Sequence, residues 1–432
     1  MIAKYKLPKN IAKYEKDDRV LYINPDIPAW VVVNKSSSIL LELCDGENEL
    51  NDIIESYVDV TGEGNRAKII SFFDNVIRSG IFGRPQKGAI PIRSCQQMLT
   101  LVQLSISSFC NLNCKYCYAT DRVESSYPQM SLDDYKRIID EILSINSKMS
   151  FTITGGEPLM NKDCISIAKY INEKGTCVDL LTNGTLINES NIRQIKECFW
   201  KVTISIDGST KEKHERFRGP NTYDRTQRAM DLLLEYQVPY YLSMTVNRLN
   251  IDDVNCMAKQ YGGRLRFAPL FPAGNANHSD EDLSITGKEY YDLLLNAKGV
   301  NPLSYCESTL DASQQCRRCK CAIGGSELSV SATGDVYPCQ LLHYPQFYIG
   351  NIHDASIVDL YNNSGIIRQC SMMTVDNIEG CKDCVIRYIC GGACRARAFH
   401  EKGNIMESGD FCEYEKNAFI NGIFNIYSKN IL

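Results

Sequence analysis

The segment Cys-Asn-Leu-Asn-Cys-Lys-Tyr-Cys sets three thiols at Cys110, Cys114 and Cys117. Three thiolates so close on one loop can hold a face of a metal cluster. A [4Fe–4S] cluster normally takes four cysteines, so a three-cysteine site leaves one iron open to a ligand or substrate. The competing reading is a zinc loop that lacks its fourth ligand, or three unrelated thiols. Further on stands Gly155-Gly156-Glu157-Pro158. Its glycines let backbone approach a ligand closely, and its carboxylate can accept from an ammonium group. A second constellation runs Cys381-x2-Cys384-x5-Cys390-x3-Cys394 and then Cys412, with Cys321-x12-Gly334-x4-Cys339 before it. Cys316 and Cys319 lie just upstream. Cys-x2-Cys pairs are common at zinc sites, but seven or eight ligands would need two zinc ions.

The compartment has to explain 20 cysteines in 432 residues. The N-terminus shows no apolar h-region, and no run reaches 18 apolar residues, so neither a signal peptide nor a membrane span is expected. A cytoplasmic setting follows, where cysteines are more often ligands or catalytic groups than staples. Three fall within 110–117 and eleven between 306 and 412. The thiols at 44, 95, 164, 177, 198, 256 and 370 are expected to be small buried residues. With 47 Lys plus Arg against 52 Asp plus Glu, the net charge is 47 − 52 = −5. Such a chain is a poor general binder of nucleic acid.

The elements that must position these groups follow from periodicity. Residues 1–90 read as a small mixed domain. Its expected strands are Arg19–Ile23 and Trp30–Asn34, and its expected helices Ser36–Cys44, Leu50–Tyr57 and Lys68–Ser79. Asp45-Gly46 reads as a stop between the first two helices. Residues 84–98 have no period and read as a linker, with 91–98 as its core. From 99 to about 275, strand-like runs (Leu99–Ser105, Ser150–Thr154, Cys177–Leu181, Lys201–Ile206, Pro239–Val246, Arg264–Phe271) alternate with helical stretches. That alternation predicts an α/β fold of parallel strand–helix units, and six units predict a partial barrel. Polar and glycine residues follow every run, at the strand ends where parallel folds bind ligands. Residues 306–412 are weakly periodic, so bound metal is the expected source of their stability. Glu413–Tyr427 reads as a closing helix.

The cysteine loop after the first strand and the Gly-Gly-Glu element after the second resemble the radical S-adenosylmethionine (SAM) superfamily. The resemblance implies a [4Fe–4S] cluster whose open iron binds SAM, and a 5′-deoxyadenosyl radical that abstracts hydrogen from substrate. It implies that Gly155, Gly156 and Glu157 meet the methionyl amino group, and that Ser205 and Asp207 lie near the cofactor. Arg218 is a candidate partner for the SAM carboxylate, with Thr182 and Asn183 as further contacts. The later cysteines resemble the SPASM domain, a C-terminal extension of such enzymes. That implies two auxiliary [4Fe–4S] clusters, three clusters in all. One would use Cys321, Cys339, Cys394 and an upstream cysteine, where Cys316 suits the family better than Cys319. The other would use Cys381, Cys384, Cys390 and Cys412. Trp30–Asn34 with the following Leu-x-x-Cys-Asp-Gly stretch resembles the PqqD-like domain, a small winged-helix unit that adds a precursor peptide's leader as an extra strand. A DNA-binding winged helix is the alternative, disfavoured by the acids Glu42, Glu49, Asp52, Glu55 and Asp59.

Together these resemblances imply 1–90 for leader docking, 99–300 for the radical barrel and 301–432 for the SPASM domain with its closing helix. The implied activity is an oxidative crosslink, thioether or carbon–carbon, in a ribosomally synthesised precursor peptide. A one-electron reductant such as a flavodoxin or ferredoxin would supply the barrel. A sulfatase-type maturase that makes formylglycine is the enzymatic alternative. Those enzymes carry an aspartate directly after the cysteine that here is Cys339, whereas this chain has Gln340, an amide that takes no proton. A zinc-binding winged-helix regulator and a passive iron–sulfur electron carrier are the non-enzymatic alternatives.

Overall fold

The computed structural model describes residues 4–62, 64–83, 93–94, 98–122, 124–296, 316–323 and 325–426. Its centre is a nine-stranded sheet whose strands we number β1–β9. They are Leu101–Ser105, Ser150–Thr154, Cys177–Thr182, Lys201–Ser205, Tyr240–Val246 and Leu265–Pro269 (β1–β6), then Glu327–Val330, Asp335–Tyr337 and Gly350–Asn351 (β7–β9). The first six lie side by side in chain order, every pair parallel. Each expected run therefore forms its strand, shorter by one or two residues at some ends and one residue longer at Cys177–Thr182. Residues such as Val102, Phe151, Val178, Val202 and Leu242 are fully or almost fully buried in one apolar core with the covering helices. The next residue along each strand faces the other way. That opposite face is polar, with Gln103, Thr152, Asp179, Thr203 and Ser243.

The sheet does not stop at β1. Strand β7 joins β1 in parallel, pairing Glu327 with Leu101 and Val330 with Leu104, and β8 and β9 continue antiparallel. The segment expected to depend on metal alone thus contributes three strands to the central sheet. It also builds short helices, Ile357–Asn363, Gly365–Met372 and Arg395–Lys402, around a modest apolar cluster. The closing helix runs Cys412–Ile426.

In the N-terminal region, strands Ala12–Lys16, Arg19–Asn24 and Ala29–Asn34 form an antiparallel sheet. One face packs on helices Lys35–Glu42, Leu50–Thr61 and Arg66–Ser79. The stop expected at Asp45-Gly46 is instead a strand, Asp45–Glu49, paired with Lys4–Lys6. The other sheet face carries Leu21, Ile23, Trp30 and Val32 onto Phe419, Ile423 and Phe424 of the closing helix. Of the expected linker, Arg93–Ser94 pairs with Cys316–Arg317 and residue 98 is described; the rest lies outside the described residues. No helix among the described residues is long and apolar enough to cross a membrane.

Candidate active site

The loop that leaves β1 carries Cys110, Cys114 and Cys117 and is clamped by the strand ends beside it. Gly156 N–H donates to the Ser107 carbonyl at 2.7 Å, and Glu157 N–H to the Phe109 carbonyl at 2.9 Å. A Cβ on Gly156 would sit 2.2 Å from that Phe109 oxygen. The glycine is thus needed for the cysteine loop itself. On the far side, Asn275 N–H donates to the Cys117 carbonyl at 3.0 Å. Gly274, at φ +61°, would bring a Cβ within 2.1 Å of the same oxygen.

Glu157 is wholly buried. Its Oε1 accepts from Thr182 Oγ1 at 2.7 Å and from Leu159 N–H at 3.1 Å, and its Oε2 from Asn183 N–H at 2.9 Å. Burial pushes this carboxyl up from its ordinary value, and the three hydrogen bonds pull the other way. Thr182 and Asn183 are therefore partners of Glu157. Asn183 Nδ2 also reaches Asn111 Oδ1 at 3.0 Å and Cys110 Sγ at 3.8 Å. This network braces the Cys110 end of the loop.

A second network braces the Cys114–Cys117 end. Asp207, just past β4, is fully buried. It accepts from the Tyr116 hydroxyl, from Arg218 Nε and, at 2.8 Å, from Thr245 N–H. Arg218 Nη2 donates to Tyr116 Oη at 2.8 Å. Lys115 N–H donates to the Phe217 carbonyl at 2.9 Å, which ties the loop to helix Lys211–Arg218. Arg218 was expected to face a ligand carboxylate. In this structure it is the countercharge of Asp207, since an unpaired buried carboxylate is too costly. Ser205 is half-buried on β4, level with Ser243 of β5 and facing away from the core residue Ile204. Sequence reading missed Tyr116 and His214 in this network. His214 Nδ1 accepts from Asp207 N–H at 3.3 Å.

Cys381, Cys384, Cys390 and Cys412 line a single small pocket. Cys321, Cys339 and Cys394 lie within electrostatic reach of one another. Cys370 is buried and within reach of Cys321, a neighbour sequence reading missed. The side chain of Cys316 lies outside the described residues, as does Cys95. Cys319 packs against the buried cluster of Val375, Ile378, Cys381 and Tyr388. Cys177 and Cys256 are exposed, contrary to expectation, while Cys44, Cys164 and Cys198 are buried. Burial pushes the thiols of Cys114, Cys394 and Cys412 up to about 11. A positively charged metal is what draws protons from such thiols. No three Cys, His, Asp or Glu among the described residues converge tightly enough for a single metal ion. The donor sets are all thiols, the ligand type that iron–sulfur clusters take.

Comparison with known proteins settles what kind of domains these are. The Radical SAM superfamily matches residues 104–260, and the SPASM iron–sulfur cluster-binding domain matches 321–385. The chain carries a radical SAM domain and a SPASM domain. These two domains bring a SAM-binding [4Fe–4S] cluster and auxiliary clusters. The radical SAM chain is 27% identical over 345 residues to the AdoMet-dependent heme synthase of Methanosarcina barkeri, covering 73% of this chain and 96% of that one. It is 26% identical over 355 residues to a cysteine-type anaerobic sulfatase-maturating enzyme of Clostridium novyi, covering 74% and 94%. Its fold matches Streptococcus suis SuiB, solved bound to S-adenosylmethionine and to the precursor peptide SuiA. Those matches have TM-scores of 0.56 and 0.57 at 14% identity, and cover 94% and 95% of this chain and all of SuiB.

Proposed function

We propose that this radical SAM–SPASM protein is a peptide maturase that installs an oxidative crosslink, thioether or carbon–carbon, in a ribosomally synthesised precursor peptide. The observation that carries the reading is the extent of the likeness to SuiB. A match over 95% leaves about 22 of 432 residues unmatched, so it takes in most of the N-terminal region. The heme synthase and sulfatase-maturase matches span about three quarters of the chain. Residues 1–90 would dock the leader as an added strand, 99–300 form the radical barrel, and 301–432 hold the auxiliary clusters.

In this reading Cys110, Cys114 and Cys117 hold the SAM cluster. Bound there, SAM and the cluster supply one-electron cleavage and hydrogen-atom abstraction. The residues of the chain hold the loop in register: Thr182, Asn183 and Glu157 at one end, Tyr116, Asp207 and Arg218 at the other. Cys321, Cys339 and Cys394 with Cys316 would hold one auxiliary cluster, and the four-cysteine pocket the other. A flavodoxin or ferredoxin would deliver the electron.

The test is anaerobic co-expression with a short peptide encoded beside the gene, followed by its mass. Loss of a hydrogen pair per modified site supports the reading, and fragmentation locates the bond. An unchanged peptide, with SAM still cleaved, overturns it. Replacing Cys110, Cys114 and Cys117 with Ala is expected to abolish 5′-deoxyadenosine formation while the auxiliary clusters stay bound. The sulfatase-maturase reading has the Clostridium relative in its favour, but Gln340 stands where its base would be.

A further inference from the structure

The pocket lined by Cys381, Cys384, Cys390 and Cys412 is also lined by Arg387. That side chain is only 12% exposed. Its Nη2 donates to Asp26 Oδ1 at 2.9 Å, across 361 residues of sequence. Its Nε is buried without a hydrogen-bond partner among the described residues and lies 3.7 Å from Asp376 Oδ1. Its guanidinium also sits over the Tyr388 ring at 4.7 Å. Asp26 belongs to the turn between the N-terminal strands Arg19–Asn24 and Ala29–Asn34. It is fixed there by Asn10 Nδ2 on Oδ2 at 2.8 Å, and its own N–H donates to Asn24 Oδ1 at 3.0 Å.

The same N-terminal sheet supplies an apolar wall beside this pocket. Trp30 and Val32 share one buried cluster with Ile386 and Ile389, and Cys384 and Cys390 pack against that cluster. Trp30 is 2% exposed and its indole N–H has no partner among the described residues.

We propose that the N-terminal sheet is part of the cradle of this auxiliary cluster: Asp26 holds Arg387 at the four-cysteine pocket, and Arg387 is a positioning residue that raises the cluster's reduction potential. The proposal rests on the assignment of these four cysteines to one cluster. A cluster gains negative charge on reduction, so a fixed cation beside it favours the reduced form. Low local dielectric magnifies that effect. The contact also runs through the sheet proposed to take the leader. The leader site and the cluster therefore share one structural link.

The test uses the full-length, anaerobically reconstituted protein with Cys110, Cys114 and Cys117 replaced by Ala, so that the remaining signals come from auxiliary clusters. Adding Cys384→Ala and Cys390→Ala identifies the signal to follow. If iron content and signals are then unchanged, the cysteine assignment itself has failed. With the signal identified, potentiometric titration of Arg387→Gln is expected to shift its midpoint negative. The expected size is a tenfold fall in the reduced-to-oxidised ratio, about 59 mV for a one-electron couple. Asp26→Asn is expected to shift it negative as well, because the guanidinium is no longer held at the pocket, and this shift is expected to vanish in the Arg387→Gln background. Arg248→Gln, at an exposed arginine paired to Asp282 and Glu289, is expected to shift nothing. Retained clusters with unmoved midpoints, a positive shift in either variant, or an Asp26 effect that survives without Arg387 would each overturn the proposal. If Arg387→Gln loses the cluster, Arg387→Lys decides, because lysine keeps the charge without the forked reach to Asp26. A lysine variant whose midpoint no longer responds to Asp26→Asn supports the proposal, and one that responds as the parent does overturns it.

Discussion

Arg218 and Asp207 form an ion pair inside the barrel mouth, with the aspartate side chain wholly buried and the arginine 9% exposed. The pair is closed by the Tyr116 hydroxyl, so a charge couple 11 residues apart in sequence is joined to the middle of the cysteine loop. Replacing one partner strands the other in a dry site. Asp207→Asn or Arg218→Gln is expected to cost about 3–5 kcal/mol. The double variant is expected to cost less than the sum of the two. Urea unfolding of the four proteins measures both. Costs below about 1 kcal/mol would mean that water already reaches the pair.

Gly156→Ala places a methyl where the Phe109 carbonyl stands. The loop must move, so the variant is expected to lose the SAM-binding cluster and 5′-deoxyadenosine formation while keeping the auxiliary clusters. Iron content and signals of the purified protein report this. Gly365→Ala, where an added Cβ meets nothing within 4 Å, is the neutral control.

Deletion of residues 1–83 is a poor probe of leader docking. It would strip Leu21, Ile23, Trp30 and Val32 from Phe419, Ile423 and Phe424 and expose that apolar surface. The truncated protein is expected to aggregate or to unfold at lower temperature. Trp30→Ala in the full chain is expected to cost about 3–5 kcal/mol by itself. Unchanged thermal stability of the truncation would show that this sheet contributes no support.

His214 gives the protein an acid sensitivity. Burial, and then Arg218, lower its pKa from 6.5 to about 4. The unfolded chain therefore binds a proton between those values that the folded chain refuses. Stability is full above pH 6.5 and falls as pH drops toward 4, by on the order of 3 kcal/mol. His214→Gln is expected to flatten that part of the urea-midpoint profile. An identical slope would assign the acid loss to other groups.

Much of this architecture is legible in the residues, and the exceptions have physical reasons. The six parallel strands carry apolar runs because one face of their sheet packs under helices. Strand Ala12–Lys16 and strand Asp45–Glu49 (sequence DGENE) bury almost nothing, so they leave no apolar signal. Helix Lys211–Arg218 escapes for the same reason: among its residues only His214, Phe217 and Arg218 are buried. The clustering of the cysteines shows in spacing because metal chemistry dictates residue types. The pairing of Asp207 with Arg218 and Tyr116 does not, since it depends on which way three side chains turn after the fold closes. Ser205 and Asp207 share a motif, yet one is half-buried and the other sealed.

The addition of β7 to β1 makes the barrel and the auxiliary region mechanically one piece. Strand β1 is laddered to β2 on one side and to β7 on the other, and the cysteine loop leaves from its end. Arg122, just beyond that loop, donates to the backbone oxygen of Gln340, next to Cys339, at 3.0 Å. The spacing between the cysteine loop and Cys339 is thus set by a hydrogen-bonded ladder rather than by a hinge. A gene cut between the two regions would leave β1 with a bare edge, a template for unwanted pairing. Expression as separate halves should therefore yield inclusion bodies unless both halves are present to close the sheet.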